Sequence, residues 1–214
     1  MAREIAVIAR AVQVPITADI EAGYGDRPAD VAETVEAAVE AGAVGVNLED
    51  NTQGARQEPL YGIEEQAARI AAARAVADRR GLTLVINART DTFLAEAGEN
   101  ADEQAAATIE RGRAYLKAGA DLVFVPLVVD PVLVRRLGDA LDGRISLMIV
   151  PGAPPAATLF EAGAKRISIG QTAMLAALGV IAEVAEEMRQ RGTWSSIERT
   201  FYGFGEAESL FASR

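Results

Sequence analysis

The stretch Ala41-Gly42-Ala43-Val44-Gly45-Val46-Asn47-Leu48-Glu49 closes an amphipathic helical pattern and runs directly into a short apolar strand. A glycine at such a junction takes the left-handed conformation that terminates a helix. The same junction recurs at Ala118-Gly119-Ala120 and Ala162-Gly163-Ala164, each time leading into another apolar run. Working outward, apolar runs at 14–20, 43–49, 82–88, 120–127, 145–150 and 166–170 alternate with helical patterns near 29–41, 64–80, 101–118, 131–141, 154–162 and 172–191. The runs are mostly continuous rather than alternating, as in parallel strands covered on both faces. A strand–helix unit repeated along the chain predicts an α/β fold with a parallel sheet.

Parallel strands close into a (β/α)8 barrel or spread into a doubly wound sheet. No G-x-G-x-x-G or Walker-type lysine loop follows any strand. Charged residues stand at the ends of several strands, which suits a site assembled at the mouth of a TIM-type barrel. Only six runs are visible, and the segment 3–10 reads as a helix leading into the first of them. A barrel of this type takes about 250 residues. The expectation is therefore a barrel lacking its first two strands in this chain, with Met1 an internal methionine or the start of a shortened chain. Residues 1–192 are read as the barrel domain. The segment 193–214, with Trp194, Phe201, Tyr202, Phe204, Leu210 and Phe211, is read as an aromatic tail that packs on the barrel or on a neighbouring subunit.

Composition restricts the chemistry. The 214 residues are 50% hydrophobic with a formal charge of −10, enough to bury a core but unsuited to nucleic acid or anionic lipid. The basic residues are scattered beside acids, as at Arg69, Arg74, Arg79 and Arg80. No transmembrane run or leader is visible, so a cytoplasmic protein without membrane or nucleic-acid partners is expected. There is no histidine and no cysteine. That removes Ser-His-Asp and Cys-His catalysis and soft-metal sites, leaving carboxylates, arginine, lysine, tyrosine, backbone dipoles or a hard cation such as magnesium, calcium or manganese.

The candidate site lies at the strand ends. Asp19 and Glu21 are two residues apart after the first run, so strand alternation would point them the same way. Glu49 closes the second run and Arg89 the third. Asn87 shares Arg89's face, where it either lines the pocket or is a satisfied core amide. Tyr24, between Gly23 and Gly25, offers either a substrate-facing hydroxyl or a packing ring. Asp50 should face away from Glu49 as a loop or helix-start residue. Thr90 and Asp91 either orient Arg89 or cap the next element. Ser168 and Gln171 carry no prediction.

These motifs resemble the isocitrate lyase / phosphoenolpyruvate mutase superfamily. The likeness rests on Pro15–Gly25, Gly45–Asp50, Ile86–Asp91 and Ala118–Asp121, in that order. It implies that Asp19, Glu21 and Glu49 surround Mg2+, with Mn2+ as the alternative, and that Arg89 holds a small 2-oxo acid or its enolate. Glu49 and Arg89 are then the catalytic pair, with Tyr24, Asn87 and Arg56 as further substrate contacts. The loop Asn51–Gly62 lacks the cysteine–histidine motif of isocitrate and methylisocitrate lyases, and has no lysine such as phosphonate-forming mutases use. The uncharged strand ends at Pro126-Leu127 and Val150–Pro155 are similar to the less characterised mutase-like branch, which includes 2-oxo acid lyases and oxaloacetate decarboxylases. The resemblance thus implies C–C cleavage or decarboxylation of a C4 or C5 2-oxo dicarboxylate. Arg56 is a candidate for the distal carboxylate, with a plain surface role as the bland alternative. The alternative functions are C–P chemistry or a silent truncated barrel serving as a binding or assembly subunit. A homo-dimer or homo-tetramer is also implied.

Overall fold

The computed structural model describes residues 1–199 and 201–211, which fall into two compact units, Met1–Ser168 and Ile169–Arg214. In the first unit α1 (Ala2–Ala11) is followed by β1 (Thr17–Asp19), α2 (Pro28–Glu40), β2 (Gly45–Glu49), α3 (Ile63–Arg80), β3 (Val85–Arg89), α4 (Ala101–Lys117), β4 (Leu122–Val125), α5 (Pro131–Ala140), β5 (Ile145–Met148), α6 (Ala156–Glu161) and β6 (Ala164–Ser168). All six strands are parallel, and their order in the sheet is their order in the chain. A doubly wound sheet reverses direction at a switch point. Here every crossover steps the same way, so the sheet curls into a half-barrel, the partial (β/α)8 architecture anticipated above.

The three repeated junctions form as their chemistry requires. Gly42, Gly119 and Gly163 have φ of 105°, 109° and 114°. At the first of them the N–H of Gly42 donates to the Val39 carbonyl and that of Ala43 to Ala38, satisfying the last carbonyls of α2 before the chain enters β2. Side chains on the outer face of the sheet pack under the helices in two apolar clusters. Val46, Leu48, Ile86 and Ala88 meet Val31, Val35, Ile70 and Val76 in one, and Val123, Val125, Ile145 and Leu147 meet Val134, Leu137 and Leu159 in the other. The first strand is shorter than its apolar run predicts. Only Thr17–Asp19 pair, and they pair with β2 alone among the described residues.

Arg69, one of the bases scattered beside acids in the sequence, is fully buried. Its guanidinium donates to the carbonyls of Gly25 at 2.9 Å, Asp26 at 2.7 Å and Ala22, and lies 4.0 Å from the centre of the Tyr61 ring. The turn after β1 points several carbonyls inward where water cannot reach, and one planar five-donor group from α3 satisfies three of them.

The second unit contains α7 (Thr172–Arg191), α8 (Ser195–Glu198) and α9 (Phe204–Phe211). The Glu187 carboxylate accepts from the backbone and hydroxyl of Ser195 and Ser196 and from the Thr193 hydroxyl, tying α7 to the start of α8. The tail aromatics Trp194, Phe201, Tyr202, Phe204 and Phe211 are exposed, with Phe201 and Phe204 edge to face at 5.4 Å. Residues 200 and 212–214 of the expected tail lie outside the described residues. Among the described residues no helix is long and apolar enough to cross a membrane.

The helix-ending glycines make a direct test. A Cβ on Gly163 would meet no atom within 4 Å, so Gly163→Ala isolates the cost of a positive φ. Stability should fall by about 1–2 kcal/mol, lowering Tm by roughly 2–8 °C in thermal melts. Gly119→Ala should cost more, because its Cβ would stand 3.0 Å from Arg74 Cγ.

Candidate active site

Strand register fixes which side chains face the inside of the half-barrel. Asp19 is opposite Asn47 and Asn47 opposite Asn87. One row further along, Glu49 is opposite Arg89, Arg89 opposite Phe124, Phe124 opposite Ser146 and Ser146 opposite Arg166. Their neighbours on each strand belong to the outer apolar clusters, so these residues point inward. The lower row is hydrogen-bonded: Asn87 Nδ2 donates to Asn47 Oδ1 at 2.8 Å, and Asn47 Nδ2 reaches Asp19 Oδ1 at 3.4 Å. The Asn87 Oδ1 atom is buried with no hydrogen-bond partner. Asn47 was missed in the sequence, although its even spacing from Glu49 in Gly45–Glu49 marks it.

The upper row holds the charge. Arg89 is bracketed by two carboxylates, with Nη1 2.8 Å from Glu49 Oε2 and Nε 2.6 Å from Asp91 Oδ1, and its guanidinium centre lies 5.9 Å from the Phe124 ring centre. Asp91 is fully buried and also accepts from Asn51 Nδ2 at 3.0 Å. It orients Arg89. Burial pushes the Glu49 carboxyl above the usual carboxylate range, while the Gln53 amide and the Arg89 charge pull it back and the Asp91 and Asp19 charges push it further up.

Asp50, expected in a loop or at a helix start, is fully buried and faces the scaffold. Its carboxylate accepts from Thr90 Oγ1 at 2.8 Å, the Asp91 backbone at 2.9 Å, the Tyr115 hydroxyl at 2.7 Å and Arg111 Nη1 at 3.1 Å. Glu49, the last residue of β2, and Asp50, the loop residue after it, thus do opposite jobs: Glu49 meets the site arginine and Asp50 clamps the strand that carries it. Burial, then the Asp50 charge, drives the Tyr115 phenol far upward, so it stays a donor.

Glu21 reaches the same region by a route other than strand alternation. β1 ends at Asp19, and Glu21 sits in the turn with φ 50°, while the Glu49 backbone donates to its carbonyl at 2.9 Å. The Gln53 amide donates to Glu21 Oε2 at 3.3 Å and to Glu49 Oε1 at 2.8 Å, a bridging residue that the sequence reading overlooked. The Tyr24 ring is 59% exposed, which removes the packing role. Partial desolvation, then Glu21 and Asp19, raise its phenol. Arg56 is placed elsewhere, paired with Glu65 at 2.9 Å and Asp26 at 3.2 Å over the Tyr61 ring.

The donors suit a hard cation. Among the described residues Asp19 accepts hydrogen bonds on Oδ1 alone and Glu21 on Oε2 alone, so each keeps an oxygen for a metal. Glu49 spends both oxygens on Gln53 and Arg89. No three acidic side chains among the described residues form a ready cage, but magnesium takes only one or two carboxylates and completes its octahedron with water and substrate. The residues fit such an ion.

The chain belongs to the phosphoenolpyruvate phosphomutase family, whose model matches residues 1–189. It is 31% identical over 193 residues to 2-methylisocitrate lyase of Escherichia coli strain K12, covering 86% of this chain and 62% of that one. It is 32% identical over 160 residues to oxaloacetate decarboxylase of Rhodopseudomonas palustris strain TIE-1, covering 73% of this chain and 51% of that one. Among solved structures it resembles phosphonopyruvate hydrolase in complex with oxalate and Mg2+, with a TM-score of 0.75 at 27% identity over 98% of this chain and 73% of that one. The chain spans about three fifths of the length of the first curated relatives it matches.

The clamp behind the site predicts graded losses. Asp50→Asn should destabilise by about 3 kcal/mol, since a buried charge partner is removed from Arg111, and Tyr115→Phe by about 1 kcal/mol. Urea titration of both variants measures the difference; equal, negligible changes would refute the clamp.

Proposed function

We propose that the protein is a magnesium-dependent lyase acting on a small 2-oxo acid, with C–C cleavage or decarboxylation of an oxaloacetate-type C4 or C5 dicarboxylate favoured. The observation that carries this reading is Arg89, held between Glu49 and Asp91 on the inner face, beside two carboxylates that keep free oxygens. Asp19 and Glu21 would hold the cation directly, with Glu49 behind them, and bound magnesium supplies Lewis acidity to the 2-oxo group. Arg89 is fixed before substrate arrives, so its guanidinium meets the oxygen on which negative charge develops without reorganising. Asp91 and Asn51 hold that guanidinium in place. Asn87 and Asn47 offer neutral amides to the same interior, and the Tyr24 hydroxyl stands protonated at its rim.

C–P cleavage is the alternative reaction on the same residues, and the family match supports keeping it. A homo-oligomer is part of the proposal. The exposed Met174, Leu175, Leu178 and Ile181 of α7 and Phe204, Leu210 and Phe211 of α9 support it, since apolar surface of this extent is covered in stable assemblies.

Thermal melts with Mg2+, with oxalate as an enolate mimic, and with both test the reading. Both together should raise Tm by several degrees, as a ligand at about a hundred times its Kd adds about 2.7 kcal/mol. Each alone should do less. Glu49→Gln and Arg89→Met should abolish the joint shift and lower kcat/KM by at least about 100-fold on whichever 2-oxo acid or phosphonopyruvate is turned over. Variants that shift as the parent does would refute the assignment.

A further inference from the structure

Arg166, on β6, is a charge on the inner face that the reading above leaves without a role. β5 and β6 pair through a bulge: Ile145 is opposite Ala164 and Ser146 opposite Arg166, with Lys165 as the extra residue. Ala164 is buried in the outer apolar cluster, and plain alternation would send Arg166 to that face too. The extra residue reverses the alternation, as bulges beside active sites commonly do. Arg166 Nη1 donates to Ser146 Oγ at 3.3 Å, and Ser146 points inward because Ile145 and Leu147 on either side of it lie in the outer cluster.

Arg166 therefore shares a register row with Glu49 and Arg89, three strand spacings from Arg89, or about 14 Å along the curled sheet. The two arginines differ in charge balance. Arg89 is neutralised by Glu49 and Asp91, whereas among the described residues no carboxylate oxygen comes within 4.0 Å of Arg166, whose side chain donates to a neutral hydroxyl. Arg56, the sequence candidate for a distal carboxylate, is occupied by Glu65 and Asp26. A half-buried guanidinium without a counter-ion favours an anion that can take two of its N–H groups.

We propose that Arg166 binds the distal carboxylate of a 2-oxo dicarboxylate and so selects dicarboxylates over shorter or monocarboxylic 2-oxo acids. This rests on the 2-oxo acid reading above. Calorimetric titration of the full chain at saturating Mg2+ compares two probes: oxalate, which ends where the distal group would begin, and 3,3-difluorooxaloacetate, which carries it. Arg166→Met should weaken the difluoro compound by about 10- to 100-fold, the range of a charge-assisted hydrogen bond, and leave oxalate within about twofold. Arg166→Lys, which keeps the charge without the fork, should weaken only the difluoro compound, by several-fold, and serves if the methionine variant does not fold. Equal weakening of both probes, or no change in either, overturns the role of Arg166 alone. Failure of the parent chain to bind either probe overturns the 2-oxo acid reading and the Arg166 assignment with it.

Discussion

Four donors converge on one buried carboxylate, Asp50, and the geometry of the site depends on that convergence. They come from the end of β3 and from two residues one turn apart on α4. The backbone of Asp50 adds two further ties, donating to the Arg89 carbonyl at 3.1 Å and accepting from the Tyr61 N–H at 2.8 Å. A buried carboxylate is costly unless its lone pairs are filled. Here they are filled by the groups whose positions matter, so satisfying Asp50 and aligning β2, β3 and the loop entrance at Tyr61 are one event.

The same economy governs the inner face. Glu21, Glu49, Asp19 and Asp91 bring four negative charges toward one strand-end region, and without cations between them such a set would repel itself. Arg89 separates Glu49 from Asp91, and the Gln53 amide separates Glu49 from Glu21. The amide is a neutral donor doing the work of a weak cation. It is delivered by a turn in which Gln53 and Gly54 take φ of 51° and 76°, with Asn51 Oδ1 accepting from the Gln53 backbone at 2.7 Å. Loop conformation and site electrostatics are thereby coupled through a single side chain.

Much of this was legible in the chain because it depends on local chemistry. The alanine–glycine–alanine junctions announced the helix ends, continuous apolar runs announced buried parallel strands, and the absence of any phosphate-binding glycine loop favoured a barrel over a doubly wound sheet. Asp19, Glu49, Arg89 and Asn87 could be placed on one face because strand alternation is exact wherever a strand is regular. Glu21 shows the limit: β1 stops before it, and a left-handed turn rather than alternation carries it to the site. Arg69, Asp50 and Arg111 were illegible for another reason. Whether a charged residue on an amphipathic helix or at a strand end is buried depends on what partner sequences many residues away supply, and nothing local to Arg69 reveals the three carbonyls waiting for it.

Arg166 joins both lessons. Lys165-Arg166 stands at the start of the last apolar run, and alternation alone would distribute the two bases one to each face, with Arg166 directed toward the helices beside Ala164. Burying a guanidinium in that apolar cluster without a carboxylate would be prohibitive, and lengthening the strand by one residue avoids it. The bulge is thus required by the charge as much as it positions it: Lys165 is left exposed, Arg166 is turned to the polar interior, and Ile167 returns to the outer cluster. A strand that accepts an irregularity to keep an arginine inside, instead of replacing it with an apolar residue, retains a positive charge facing the same interior as the paired charges of Glu49 and Arg89.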